Sequence, residues 1–562
     1  MLNLLIATTL TVILTYLYSR LPFKRFKQYA ALPQIPNSLF AGHLLKIREY
    51  MRHAPANAHP DEILRKMHED VGRPPLMLLD LRPLNKPVVV IANHGIAEQL
   101  SKSSAPCPYK HRSLNTTLSD LEPLLGSSSM MSAEGRPWTE LRKTYGRGFD
   151  REFLLTLVGS MAVCVTLWFT GDLDLEGEFE PGDDSELALM NTATDLAFDV
   201  FGVCVLGVRL NAGCHHPDYR DETGLVGAFQ ETLRGCTEGS SWLPLPLLRA
   251  KEQPTTSLDT ILKSIILKSW AGKTDHHDPH PLLEYTEKSI LSLILDDHFP
   301  PSPSRKDTPI PEDLLNATCE QLKTFLFAAH DTIPNAISWL LYELYRTPRA
   351  LKAVREELDR VLGVDEWNEP ITGEERLVKD PVAIYRMPYI SAVVKESLRL
   401  HTSSGAGRYF PPGSGVIVRG DDGREFCLDA AVVYTCTDLI HRDRTVYGDT
   451  ADQFLPERWL EDHAIPESAW RPFERGARSC IAEEFTMQLL TTVVALVART
   501  YDLEKVGLGK PLRHGDGRAM VGDNGQVIGE WIYATRTING AAKPVDGMMM
   551  NVQWVPPYDP AR

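Results

Sequence analysis

The sequence has no surplus of positive charge. Lysine and arginine total 59 against 74 aspartates and glutamates, a formal charge of −15. Phosphate binding relies on basic surface, so the balance argues against a general nucleic-acid binder while leaving room for a local basic patch. No Cys-x-x-Cys occurs among the nine cysteines, whose number is odd and whose spacing is irregular. A disulfide framework and a structural zinc site are both disfavoured, and most of the cysteines read as small buried apolar residues in a reducing compartment. The pairs His215-His216 and His276-His277 stand in polar, loop-like stretches and also lack zinc spacing. The chain shows no internal repeat and no convincing dinucleotide or flavin fingerprint.

What is present is an ordinary globular composition: 43% hydrophobic and 24% charged over 562 residues, enough to bury a large core. Residues 2–19 carry no charge, and Arg20, Lys24, Arg25 and Lys27 follow at once. The run is long enough to cross a bilayer as a helix. Basic residues prefer the cytosolic side, so the expected arrangement is a single-pass anchor with the body in the cytosol. A cleaved signal peptide would carry a basic segment first and a small-residue cleavage site later, and neither is evident. Prolines at 33 and 36 stiffen the next stretch. The expected organisation is therefore an anchor over 1–19, a basic and proline-marked linker over 20–45, and one globular domain over 46–562.

Within that domain, Lys86-Pro87-Val88-Val89-Val90-Ile91 reads as a strand. Apolar periodicity predicts a long helix with a defect over 312–346 and further helices over 350–362, 387–400 and 482–501. Residues 300–304, rich in proline and serine, read as a surface loop.

The strongest chemical signal is Phe473-Glu474-Arg475-Gly476-Ala477-Arg478-Ser479-Cys480-Ile481-Ala482. Cys480 stands just before an apolar helix, whose free N–H groups and dipole favour a thiolate. A thiolate donates electron density to heme iron and favours O–O cleavage. Gly476 suits a tight turn that brings backbone near a flat cofactor. Arg478 can reach a propionate, and Ala482 is small enough for the helix to approach the ring.

This segment resembles the cytochrome P450 signature Phe-x-x-Gly-x-Arg-x-Cys-x-Gly, with Ala482 in place of the last glycine and a less usual Glu474 after the phenylalanine. Glu396-Ser397-Leu398-Arg399 and Phe454-Leu455-Pro456-Glu457-Arg458-Trp459 resemble two further family motifs. By that resemblance Glu396, Arg399 and Arg458 form a buried structural triad. Trp138-Thr139-Glu140-Leu141-Arg142 is similar to the family's Trp-x-x-x-Arg motif, and Arg408 to a position that contacts the other propionate. The resemblance implies that Trp138, Arg142, Arg408, Phe473, Gly476, Arg478 and Cys480 bind heme b (iron protoporphyrin IX), with Cys480 as the ligand of the iron.

Ala328-Ala329-His330-Asp331-Thr332 resembles the family's oxygen-activating motif, with Ala329 at the usual glycine and Ile333 at a usual threonine or serine. A hydroxyl beside a carboxylate can relay protons to the oxygen being activated, so Asp331 and Thr332 are the expected catalytic pair. Thr332 can also bond back to the carbonyl one turn earlier, and Pro334 removes a helical hydrogen bond, so a kink is expected. Phe325, Ala328, Ala329 and Thr332 share one helical face. His330 holds the variable position and is not assigned as a ligand.

The resemblance covers the body from about Phe40 onward and is nearest in style to fungal enzymes of secondary metabolism. It implies a mainly α fold with a smaller β portion and a membrane-anchored heme-thiolate monooxygenase of the endoplasmic reticulum. NADPH electrons would arrive through a separate, membrane-bound cytochrome P450 reductase, for which Arg136, Lys143, Arg147, Arg471 and Arg475 are a candidate docking patch. Segments 103–131, 191–242, 325–332 and 402–407 are expected to shape a pocket for a lipophilic small molecule. A heme-thiolate isomerase or dehydratase and a non-enzymatic heme sensor are the alternatives. Asp331 and Thr332 argue against the first, and neither they nor a substrate pocket are needed by the second.

Overall fold

Alternating apolar side chains make Val88–Ile91 a strand buried on both faces. It is central to one of two compact units in a computed structural model of the chain. The structure describes residues 2–55, 58–102, 124–172, 185–213, 223–238, 255–272, 288–298, 308–363, 372–403, 405–460, 465–530, 532, 534–536 and 541–555.

The first unit comprises residues 1–115, 404–452 and 465–479. Its four-stranded sheet runs in the order Leu76–Leu79, Val88–Ile91, Val432–Thr435, Ala406–Tyr409. The Val88–Ile91 and Val432–Thr435 strands are parallel and both outer pairs antiparallel. Strand side chains alternate between faces. Leu76, Leu78, Val89, Ile91 and Val433 therefore enter one apolar cluster, while Met77, Leu79 and Val90 enter another. Helix His94–Ser101 begins at Asn93, whose side chain accepts from the Ile96 N–H.

Leu2–Pro22 forms a helix with no acidic residue in its first turn and Arg20 in its last. Leu10, Val12, Leu14, Tyr16 and Tyr18 on it are exposed. The expected connector over 20–45 requires correction, because much of it is part of the first unit's packing. Tyr29, Leu32 and Ile35 are buried in its core clusters. Arg25, grouped above with the basic flank, is buried beside Asp80 at 2.7 Å and also donates to the carbonyls of Leu39, Phe40 and Arg82. A buried carboxylate needs such a partner, and local sequence does not say which cation will supply it.

The second unit comprises residues 116–403, 453–464 and 480–562. Its axis is the helix Glu312–Tyr345, which continues through Pro334. Helices Leu189–Val200, Thr255–Trp270, Pro388–Leu400 and Glu483–Thr500 pack against it. Helix Pro348–Leu362 matches the expected periodicity within two residues. The segment 189–206 is long and apolar enough to cross a membrane but is largely buried within this unit, as a core element. A three-stranded antiparallel sheet, Ser185–Ala188, Met549–Trp554 and Tyr501–Lys505, completes the β portion together with the pair Ala534–Arg536 and Ala542–Pro544. The fold is mainly α with a smaller β portion, as expected. Residues 300–304 and both histidine pairs lie outside the described residues.

Candidate active site

Cys480 opens the last segment of the second unit, three residues before helix Glu483–Thr500. Its side chain is accessible, yet enough protein surrounds it for desolvation to push the thiol above its ordinary value. The Ala482 N–H and the Arg142 guanidinium pull the thiol back toward ionisation, and Glu483 opposes them. The Ala482 N–H at the helix start thus favours the thiolate as expected. Burial outweighs it, and Glu483 and Glu484 in the first turn offset the dipole.

Arg142 lies on helix Gly135–Gly146, one turn from Trp138, and both are half-buried. Burial weakens the guanidinium's hold on its proton, and the Cys480 charge strengthens it. Aromatic contacts set the position of this helix. Tyr145 and Phe149 meet Phe325 of the long helix edge to face at 5.7 and 5.5 Å, and Phe149 meets Phe485 of the cysteine helix at 6.4 Å. Such pairs fix orientation beyond what area alone would do. Sequence spacing carries no sign of them.

In the long helix, residues 321–327 and 333–344 are buried without a break. Ala328 between them is exposed, and Ala329, His330 and Thr332 are half-exposed. The helix therefore opens at the motif identified in the sequence. Thr332 Oγ1 donates to the Ala328 carbonyl at 2.7 Å, the back-bond anticipated for it. Asp331 is buried. His330 Nδ1 bonds the Phe327 carbonyl, its ring packs edge-on to Phe229 at 5.0 Å, and burial lowers its pKa. It is held as a packing residue.

The ion-pair triad is complete within the second unit. Arg399 grips Glu396 through Nε and Nη2 at 2.9 and 2.8 Å, and Arg458 Nε reaches Glu396 Oε1 at 2.9 Å. Trp459 Nε1 and the Leu455 N–H also donate to Glu396. With five donors on one fully buried carboxylate, desolvation is compensated.

Arg408, Phe473, Gly476 and Arg478 belong to the first unit. Arg408 lies in strand Ala406–Tyr409, is buried, and donates to the Leu100 carbonyl at 2.5 Å. Phe473 meets Trp470 edge to face at 6.1 Å, and Arg478 is half-buried. Gly476 has the tight backbone turn expected of it. Its φ is +80°, and a Cβ there would stand 2.3 Å from the Ser101 carbonyl oxygen, so the local backbone by itself demands glycine. The suggested docking patch also needs correction. Arg471 is buried and donates to Ser101 Oγ and Glu474, so it offers no surface charge. Arg136 and Arg147 are exposed and paired with Glu140 and Asp297, Lys143 is exposed, and Arg475 is paired with Glu98 and Glu467.

Cys164, Cys204, Cys319 and Cys436 are buried, as expected of apolar cysteines, whereas Cys427 is exposed and Cys107 and Cys214 lie outside the described residues. A cavity of about 320 Å³ in the second unit is lined by Tyr342, Arg346, Lys505 and Asn551 among others, and by none of the residues singled out in the sequence.

The cytochrome P450 family model matches residues 33–521. The cytochrome P450 monooxygenase polC of Polytolypa hystricis is 25% identical over 544 residues, covering 93% of this chain and 91% of that one. The cytochrome P450 monooxygenase acrF of Aspergillus aculeatus is 27% identical over 526 residues, 89% of this chain and 98% of its own. A self-sufficient cytochrome P450 monooxygenase of Aspergillus terreus is 36% identical over 330 residues, 57% of this chain and 28% of that longer protein. The fold and the match define a heme-thiolate class of protein. This chain belongs to the cytochrome P450 family and is a cytochrome P450 monooxygenase. Members of the family take electrons from a reductase.

The residues present fit the family's heme-thiolate cofactor. The Cys480 thiol is accessible, a guanidinium and a backbone N–H favour its ionised form, and small residues open the long helix of the same unit.

Proposed function

We propose that this chain oxidises a lipophilic small molecule, with Cys480 as the heme ligand and Asp331 with Thr332 as the proton-delivering pair. The observation that carries the reading is the occurrence of five family motifs in order in a chain that the family model matches over residues 33–521. The cofactor would be heme b, which when bound supplies a thiolate-ligated iron for oxygen activation. Trp138, Arg142, Arg408, Phe473, Gly476 and Arg478 are assigned to its surroundings, the arginines suiting its propionates.

Each protein group has its own task. The Ala482 N–H and Arg142 favour negative charge on the sulfur against the effect of burial. Ala328 and Ala329 leave room at the helix opening, and Phe325 supports an apolar wall. Thr332, tied to the Ala328 carbonyl, and the adjacent Asp331 are the groups through which protons would be passed. Apolar and small residues at 325, 328 and 329 favour a lipophilic substrate. The fungal relatives named above fit a role in secondary metabolism, with electrons from an NADPH-cytochrome P450 reductase.

The exposed apolar helix Leu2–Pro22 supports a single-pass anchor in the endoplasmic reticulum membrane with the catalytic body cytosolic. The direct test of the site is spectroscopic. Reduced, CO-treated protein should absorb at the thiolate position, and Cys480→Ala should lose that band. A variant that kept it would move the ligand elsewhere. Oxygen- and NADPH-dependent product formation with reductase separates a monooxygenase from a heme isomerase or sensor.

A further inference from the structure

Asn335 is fully buried, and neither its amide nitrogen nor its amide oxygen has a hydrogen-bond partner among the described residues. One turn earlier, Asp331 is buried, and its Oδ2 has none either. Residues four apart on a helix share a face. Between them Pro334 brings no N–H, which removes the helical donor of the His330 carbonyl. Unsatisfied polar atoms therefore gather within a single turn beside the proposed catalytic pair.

The neighbouring hydroxyls do not relieve them. Thr324, Thr332 and Ser338 each donate to a carbonyl one turn back: Glu320, Ala328 and Pro334. Packing does not explain the amide, because leucine has similar volume and carries no polar cost in an apolar setting. Buried polar atoms in native proteins are nearly always satisfied, and where protein does not serve them an ordered water with two to four polar neighbours does. Asp331, Asn335 and the His330 carbonyl are such a set.

We propose that Asn335 is a positioning residue, which with Asp331 holds a buried water and so keeps the Asp331 carboxyl oriented toward Thr332. The inference deepens the monooxygenase reading and rests on it. The amide serves as donor and acceptor at once, which a hydroxyl can also do and an apolar side chain cannot. Asn335 touches no reacting atom in this account and acts only through Asp331.

The test uses the full chain with its reductase and compares wild type, Asn335→Leu and Asn335→Ser. Three quantities are read: the reduced CO band, product formed per NADPH consumed with the hydrogen peroxide released, and thermal unfolding. Asn335→Leu should keep the thiolate band and unfold no earlier than wild type. Its coupling should fall about tenfold, less than the ~10²–10⁴ expected for removing a proton-transfer group outright. Asn335→Ser should restore most of the coupling, and crystals of the wild type should show a water within reach of Asp331 and Asn335. Wild-type coupling in Asn335→Leu overturns the inference. Equal loss of coupling and stability in both variants overturns it too, since that marks a packing role. A wild type without the thiolate band overturns the monooxygenase reading, and this inference with it.

Discussion

The Arg471 guanidinium donates to the Glu474 carboxylate at 2.7 Å, three residues along the loop that leads to Cys480. Glu474 also accepts from the Arg475 N–H, and Arg471 from its Nη2 reaches Ser101 Oγ at 2.6 Å. Arg471 is almost fully buried, so the pair answers a charge that would otherwise be stranded. Glu474 holds this position at a φ of +55°, a conformation that favours glycine. The less usual residue after Phe473 thus accepts backbone strain in return for an internal counter-ion.

Two opposing effects can be separated by substitution. Removing the carboxylate leaves Arg471 unpaired, at a cost of about 3–5 kcal/mol. Glycine at 474 recovers part of it by relieving a strain of about 1–3 kcal/mol. Thermal unfolding should therefore rank wild type above Glu474→Gly, and Glu474→Gly above Glu474→Ala. If alanine and glycine behave alike, the left-handed backbone carries no cost.

The Glu396 site should respond as a unit. Arg458→Ala removes one of its buried cations and should cost about 3–5 kcal/mol. Heme retention and unfolding temperature should fall together. The fraction that still holds heme should turn over at a near wild-type rate, because no member of this triad delivers protons. A large fall in rate per heme at unchanged heme content would give Arg458 a catalytic role.

Thr332→Ala should retain the reduced CO band and substrate binding but form less product per NADPH, with more electrons ending in hydrogen peroxide. Loss of one positioned proton-transfer group typically lowers rate by about 10²–10⁴. The variant also loses the back-bond to Ala328, which holds the hydroxyl in place. Unchanged coupling and rate would remove Thr332 from the mechanism.

Truncation should depend sharply on where the chain is cut. Removing residues 1–22 takes away the apolar helix and leaves Arg25 with Asp80. That protein should be easier to obtain in soluble form and keep its heme. Removing residues 1–30 also takes Arg25 and Tyr29, leaving Asp80 with Arg82 as its one remaining ion-pair partner among the described residues and opening an apolar cluster. The longer truncation should be less stable, by less than the about 3–5 kcal/mol of stranding a buried charge outright, because Arg82 still pairs with Asp80. Equal unfolding temperatures for the two would mean that the Arg25–Asp80 pair contributes nothing.

Much of this protein was legible in the sequence because it is written in local pattern. Apolar periodicity located helices 312–345, 348–362, 388–400 and 483–500 to within two residues. Resemblance to short family motifs brought out Glu396, Arg399, Arg458, Cys480, Asp331 and Thr332, since each lies in a local pattern that can be recognised residue by residue. Tertiary structure alone decided what partners residues distant in the chain would have. Arg25 and Arg471 look like surface charges until Asp80 and Glu474 are placed beside them. That the Ser101 carbonyl would stand 2.3 Å from a Cβ at Gly476 is likewise a long-range approach that local sequence does not show. Asn335 is an unremarked polar residue in a helix until both faces of its amide are found buried. Burial and long-range pairing depend on how segments meet, and no local periodicity encodes that.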